Sequence, residues 1–363
     1  MNFKHYPNRP AKLTKEFSEQ ELGKLIARVE QAEQSKSPQA WLDLYRDWNS
    51  FSAYYSGEAS RIGYAHSADM ANPEWDEADR YFREQVNPAV EAGNAVLLDA
   101  FLKSKYKDAI AKHYGNYLLE ALETTVEPQA PVNSELRVHA NDLIDQYEKL
   151  TSAGEVVVGG KTITLSRARG LQSHNNAETR KEAWLAYRKW FLDHHDVLAG
   201  IYDRLVQTRD EMGRNLGHDN YIPLGYLSMR RTDYGPEQAK AFRDSVRQYA
   251  VPILARLNAE QAEALGTETL LPWDVGYHPA FTLPTGIAPV DTQLEKAQHL
   301  FDELSPRLGA HFSRMRKEGL IDLENRKGKK PGAFATMMPD EERMAILCNS
   351  TGDEGDVGTL IHE

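Results

Sequence analysis

The chain of 363 residues contains a single cysteine, Cys348. No internal disulfide can form, so the fold rests on its apolar core, and a reducing compartment suits it. Positive charge is also short: 43 lysines and arginines face 54 aspartates and glutamates, a net charge of −11. Nucleic acids and anionic membranes are bound mainly by cationic side chains, so this balance argues against both as partners. No apolar run approaches the roughly 18 residues needed to span a bilayer. The N-terminal MNFKHYPNRPAKLTK is basic but has no apolar stretch behind it, so it does not read as a secretory signal, and a cytoplasmic protein is expected. Fixed-period repeats and low-complexity tracts are missing. So is a glycine-rich phosphate loop leading into a helix with Lys-Ser or Lys-Thr.

What remains is ordinary globular material, 41% hydrophobic and 27% charged. The length suggests about two domains. Helical periodicity dominates. Ser18 and Glu21 have capping-box spacing, and Leu22, Leu25, Ile26 and Val29 continue at i, i+3, i+4, i+7. Further helices are predicted after Ser37-Pro38 and after Asn72-Pro73, the latter kinked or divided at Pro88. Spans 106–124 and 134–150 read as two more. Asn175 and Glu178 open a very long helix reaching about Gly213, and Gly235-Pro236 opens another that Pro252 should bend. Residues 269–289 read as a structured loop and 292–317 as a helix.

Two places break the helical texture. Glu155 to Leu165 reads EVVVGGKTITL, in which two β-branched runs flank Gly159-Gly160, a hairpin signal. Near the end, Ala333 to Met338 and Met344 to Cys348 read as two short strands. A final helix from about 351–354 then carries Val357, Leu360 and Ile361.

Most chemistry-bearing side chains have a plain reading. His194 and His195 are adjacent, and adjacent helical residues do not face each other, so they chelate one ion poorly. His174, His278 and His299 are isolated. Cys348 sits beside Leu347 in an apolar strand and reads as a small core residue. Trp41, Tyr45, Trp48, Phe51, Tyr54 and Tyr55 are spaced as a helical core face, with a channel lining as the alternative. Arg326, Lys327, Lys329 and Lys330 read as a solvated loop, with attraction of a peptide carboxylate as the alternative.

The chain closes on Thr359-Leu360-Ile361-His362-Glu363. In a helical zinc peptidase motif two histidines four apart hold the metal, and the glutamate after the first is the general base. A lone His-Glu pair is weak, but its context is not. The segment Lys330-Pro331-Gly332-Ala333-Phe334, two strands and then Asp356-Val357-Gly358-Thr359-Leu360-Ile361-His362-Glu363 closely resemble the oligoendopeptidase F and thimet oligopeptidase family of zinc metallopeptidases. That family has a Pro-Gly-Ala or Gly-Gly-Ala strand leading into an Asp-Val-x-Thr-Leu-x-His-Glu-x-Gly-His helix. Asp356, Val357, Thr359, Leu360, His362 and Glu363 match it position by position; Gly358 departs from it, a larger residue being usual there. Leu216 to Tyr221 and Arg231 to Tyr234 also look like family segments, and the likeness is strongest from about Gly213 onward.

The resemblance implies a mainly α, two-lobed fold around a deep channel, with a small hairpin near 155–165 and a short β element before the final helix. Residues 1–212 would be an N-terminal helical region and 213–363 the first part of the catalytic domain. The activity implied is hydrolysis of internal bonds in short peptides with one zinc ion. His362 would be a zinc ligand and Glu363 the general base, while Gly332, Ala333 and Phe334 would meet the substrate backbone by strand addition. The second histidine and the third ligand would fall beyond residue 363, so the 363-residue chain is expected to lack a complete site and to be inactive. The alternative is a non-catalytic helical peptide-binding or scaffold protein.

Overall fold

A computed structural model of the chain describes residue 10 and residues 12–280, 289–352 and 354–363. Thr14 opens the first helix. Its hydroxyl accepts from the Phe17 amide at 3.2 Å, and α1 runs Lys15–Ile26. The spacing at Ser18 and Glu21 is therefore not a helix start. Ser18 is buried inside α1 and its hydroxyl donates back to the Thr14 carbonyl at 2.8 Å. After α2 (Val29–Gln34), the long α3 (Gln39–Ala68) begins directly behind Pro38 as expected. Trp41, Trp48, Phe51 and Tyr54 are buried in one core, which settles their reading as packing residues.

Asn72 caps α4 (Pro73–Tyr81) through a bond from the Glu74 amide at 2.9 Å. The kink expected at Pro88 is realised as a π-helical turn, Phe82–Val86, leading into α5 (Asn87–Lys103). Proline cannot supply the next helical donor, and a wide turn absorbs the misfit. The single helix expected over 106–124 is two, α6 (Lys107–Tyr114) and α7 (Tyr117–Val126), because Gly115 takes φ +107° between them. α8 spans Ser134–Ser152.

The hairpin forms as read. β1 (Glu155–Val158) pairs antiparallel with β2 (Lys161–Thr164), and Gly159 and Gly160 both have positive φ, as a two-residue turn of this hand requires. After α9 (Leu165–Gly170), the expected very long helix is broken into α10 (Ala177–Asp193) and α11 (His195–Arg214). Asn176, one residue later than read, caps α10 with a bond from the Thr179 amide at 2.9 Å. His194 stands at the break, its ring stacked 4.1 Å from that of Trp190. α12 (Ile222–Ser228) follows. Then come α13 (Pro236–Ser245), a π-turn (Val246–Ala250) just ahead of Pro252, and α14 (Val251–Ala264). The loop expected over 269–289 lies partly outside the described residues.

The helix expected over 292–317 is also two, α15 (Val290–Leu304) and α16 (Pro306–Lys317). Ser305 precedes a proline and takes the extended backbone that the proline ring favours. A three-stranded sheet follows: β3 (Ile321–Asp322), β4 (Phe334–Met338) and β5 (Arg343–Leu347), with β5 central, antiparallel to β4 and parallel to β3. The last helix is α17 (Glu354–His362). The fold is thus mainly α, with one hairpin and one small sheet among the described residues.

Among the described residues, three apolar cores hold it together. The first joins α1, α2, α3, α5 and α6 and includes Leu22, Trp41, Phe51 and Phe101. A second lies under the hairpin, around Leu165, Ala168, Ala183 and Trp190. The third joins α15, α16, the sheet and α17 through Phe312, Ile346, Cys348 and Leu360. No described helix is long and apolar enough to cross a membrane.

Candidate active site

A cleft of about 610 Å³ opens between the second and third cores. α8, α9 and α10 form one wall, with Glu148, Arg169 and Tyr187 among its side chains; residues 330–333, the end of β5 and the start of α17 form the other. The path from β5 to α17 is fixed by one buried carboxylate. Asp356 accepts from the Ser350 hydroxyl at 2.7 Å and from the Thr351 amide at 2.9 Å, and the Gln293 amide bonds the same hydroxyl at 2.8 Å. A carboxylate in the first turn also suits the helix dipole.

The 330–333 segment of the same wall is held by amide side chains. Asn349 donates to the carbonyls of Lys330 at 2.7 Å and Gly332 at 3.0 Å, and accepts from Asn325 at 3.1 Å. Asn349 carries no periodicity or motif signal that would mark it in the sequence. Gly332 has φ +92° and is exposed at the cleft, with open space where a Cβ would stand. Ala333 also lines the cleft. Phe334 does not: it begins β4 opposite Leu347, and its ring meets Tyr64 of α3 edge-on at 6.4 Å. The two-residue period explains the split, since Thr336 also turns to α3, bonding Ser60 at 2.9 Å, while Ala333 and Ala335 pack toward the third core. β4 is an edge strand, paired on one side by β5.

The solvated-loop reading of the basic run holds for the exposed Arg326 and Lys327 but fails at Lys329, and all four cations are ion-paired. Lys329 is fully buried; its ammonium donates to Asp322 Oδ1 at 2.8 Å and to the carbonyls of Asp322, Glu324 and Cys348 at 3.0, 2.8 and 2.6 Å. Burial pushes that ammonium below its ordinary value. Burial works to raise the Asp322 carboxyl, but hydrogen bonds from Arg326 and Lys329 outweigh it and hold the group below the usual carboxylate range. Arg326 pairs with Asp322, Lys327 with Glu155 and Lys330 with Glu148. These ties connect the loop before β4 to α8 and the hairpin. Cys348 is buried, and burial first of all pushes its thiol up to about 11, so it stays protonated and serves as a packing group.

Helical spacing puts Gly355, Thr359 and His362 on one face of α17, and Gly355 and Thr359 line the cleft. His362 is exposed at the end of that face, and the Glu363 amide continues the helical ladder to Thr359 at 3.0 Å. Gly332, Ala333 and the stripe leading to His362 thus meet at one cleft. Among the described residues, no two further histidine, cysteine or carboxylate donors gather with His362. His194 and His195 form no such group either, the first stacked on Trp190 and the second exposed beside Asp196.

Residues 170–363 match the model of peptidase family M3, and residues 12–128 match the peptidase M3 N-terminal domain. The chain belongs to peptidase family M3. M3 peptidases are in general metal-dependent. The first M3 match begins at residue 170, well before the segments whose likeness is plain in the sequence. Solved structures agree in fold. PZ peptidase A with an inhibitor superposes with a TM-score of 0.92 at 25% identity, over 98% of this chain and 63% of that one. A crystal structure assigned to oligoendopeptidase F from Bacillus anthracis str. Ames gives 0.91 at 24% identity, over 99% of this chain and 66% of that one. The M3 chain described here thus spans less than two thirds of either relative. A comparison with curated proteins found no match.

Proposed function

We propose that this chain is the N-terminal part of a zinc-dependent M3 oligopeptidase that hydrolyses internal bonds of short peptides in the cytoplasm. In this reading residues 1–212 form a helical region and residues 213–363 begin the catalytic domain. The observation that carries it is the meeting, at one cleft, of Gly332 and Ala333, which lead into the edge strand β4, with the face of α17 that ends in His362. An extended peptide lying along Gly332, Ala333 and Phe334 would run beside the edge strand and extend the sheet by one strand. Gly332, without a side chain, lets that backbone approach closely.

His362 is assigned as one zinc ligand, with the remaining ligands supplied by chain beyond residue 363. Zinc in such enzymes polarises the scissile carbonyl and acidifies water. Glu363 is assigned as the general base, taking a proton from water and handing it to the leaving amine. Asp356 is the positioning residue for both, because it fixes where α17 begins.

Two measurements test the reading. Residues 1–363 alone should not hydrolyse a quenched short peptide, with or without added zinc; turnover that Glu363→Gln abolishes would refute the dependence on further ligands. In a chain extended to the length of its relatives, Glu363→Gln should abolish turnover while zinc stays bound. Unchanged turnover would remove Glu363 from the chemistry, and peptide binding without turnover would favour a binding protein.

A further inference from the structure

A second group of potential ligands lies away from His362, where the end of α3 meets α4 and α8. His66 is 93% buried at its side chain, and its Nε2 atom makes no hydrogen bond. That nitrogen lies 3.6 Å from Asp76 Oδ1 and 3.9 Å from Asp145 Oδ1. Asp145 Oδ1 is also buried without a hydrogen bond. The three donor atoms all lie within 4.8 Å of one another, and among the described residues this is the one such group of three. Donors around a tetrahedral ion with bonds of about 2.0–2.1 Å stand about 3.3 Å apart, so small side-chain movements would close this set on a cation.

We propose that His66 Nε2, Asp76 Oδ1 and Asp145 Oδ1 form a binding site for a first-row divalent cation, with zinc as its best-suited occupant. The donor set of one imidazole and two carboxylates favours a borderline ion over magnesium or calcium, which prefer oxygen alone. Surrounding charge supports a cation. Asp79 Oδ2 lies 3.7 Å from His66 Nδ1, so three carboxylates face the imidazole; Arg83 bonds Asp79 and stands 3.8 Å from Asp145 Oδ2, and Asp145 Oδ1 has no donor. Burial works to raise the Asp76 carboxyl, but the Lys149 hydrogen bond outweighs it and keeps the group below the usual carboxylate range, so this ligand is anionic at neutral pH.

Lys149 is the tethered competitor. Its ammonium bonds Asp76 Oδ1, and Asp145 Oδ2 at 2.9 Å, and its side chain is 36% exposed. A flexible four-carbon stem can carry it into solvent when an ion arrives. The site would brace the cleft. Immediately after His66, the Ser67 carbonyl accepts from the Lys330 amide at 2.8 Å and the Ala68 carbonyl from Arg326 at 2.7 Å. A bound ion would therefore stiffen the arm that leads to Gly332. The competing occupant is a water molecule, which would satisfy the same two unbonded atoms.

The test uses the full 363-residue chain carrying His362→Ala, which removes the proposed catalytic ligand from the count. After chelator treatment, zinc titration by calorimetry should give one equivalent bound and a higher melting temperature. His66→Gln in that background should weaken binding at least about tenfold, equivalent to about 1.4 kcal/mol. Lys149→Met should tighten it by a similar factor. No zinc uptake, or equal uptake in His66→Gln, would overturn the proposal in favour of water. If His66→Gln does not fold, Lys149→Met decides alone: unchanged affinity overturns the site.

Discussion

Two glycines show how much a single Cβ decides in this molecule. At Gly213 an added Cβ would stand 2.4 Å from the Asn220 carbonyl oxygen and 2.6 Å from its carbon, and backbone cannot step aside cheaply. At Gly358 nothing lies within 4 Å, and the position is exposed inside α17. Gly213→Ala should cost about 1–3 kcal/mol in urea unfolding, whereas Gly358→Ala should stabilise by about 0.5–1 kcal/mol through helix propensity. Equal effects from the two would contradict the packing described. Gly358 was legible in the sequence as a helix-weakening residue, while the close approach at Gly213 was not, because its neighbour lies across a turn. Lys329 was misread for the same reason. A run of cations looks solvated in one dimension, and the acceptors that bury this one come from Asp322, Glu324 and the distant Cys348. His66, Asp76 and Asp145 sit on three different helices with no shared spacing, so no motif could have announced them.

Elements were read well where a local cause exists. Pro38, Asn72-Pro73 and the Gly159-Gly160 turn mark boundaries by their own chemistry, and each boundary falls where they stand. Misses came where periodicity ran on through a break. Pro306 was a signal available and unused, since a proline turns the residue before it away from helix. His194 offered none: neither glycine nor proline stands there, and its ring stacks on Trp190, one turn earlier in the same helix. For α17 the controlling residue is Asp356, whose carboxylate ties together Ser350, Thr351 and the helix it opens. Asp356→Ala should therefore raise amide exchange across 354–363 and cost about 1–3 kcal/mol, because buried donors lose their acceptor. Asp356→Asn, which keeps an acceptor oxygen, should recover part of that loss. Unchanged exchange in the alanine variant would mean that Leu360 packing alone holds the helix.

In the whole molecule, apolar surface is unevenly covered. Phe242 is 70% exposed, Tyr249 65% and Leu254 57%, and α13 with its π-turn contains no buried residue. Large apolar side chains exposed to this extent on neighbouring turns favour association. The 363-residue chain should therefore self-associate in sedimentation at micromolar concentration, and Phe242→Ser with Leu254→Ser should shift it toward monomer. A wild-type chain that sediments as a monomer would contradict this.

The three cores also follow one another along the chain. The first closes within residues 13–122, the second within 150–198 and the third within 290–361. Each is composed almost wholly of neighbours in sequence. A ribosome making this protein thus delivers every core complete before the next begins to emerge, so the molecule can be folded in reading order, with the wall that carries α17 hardening last.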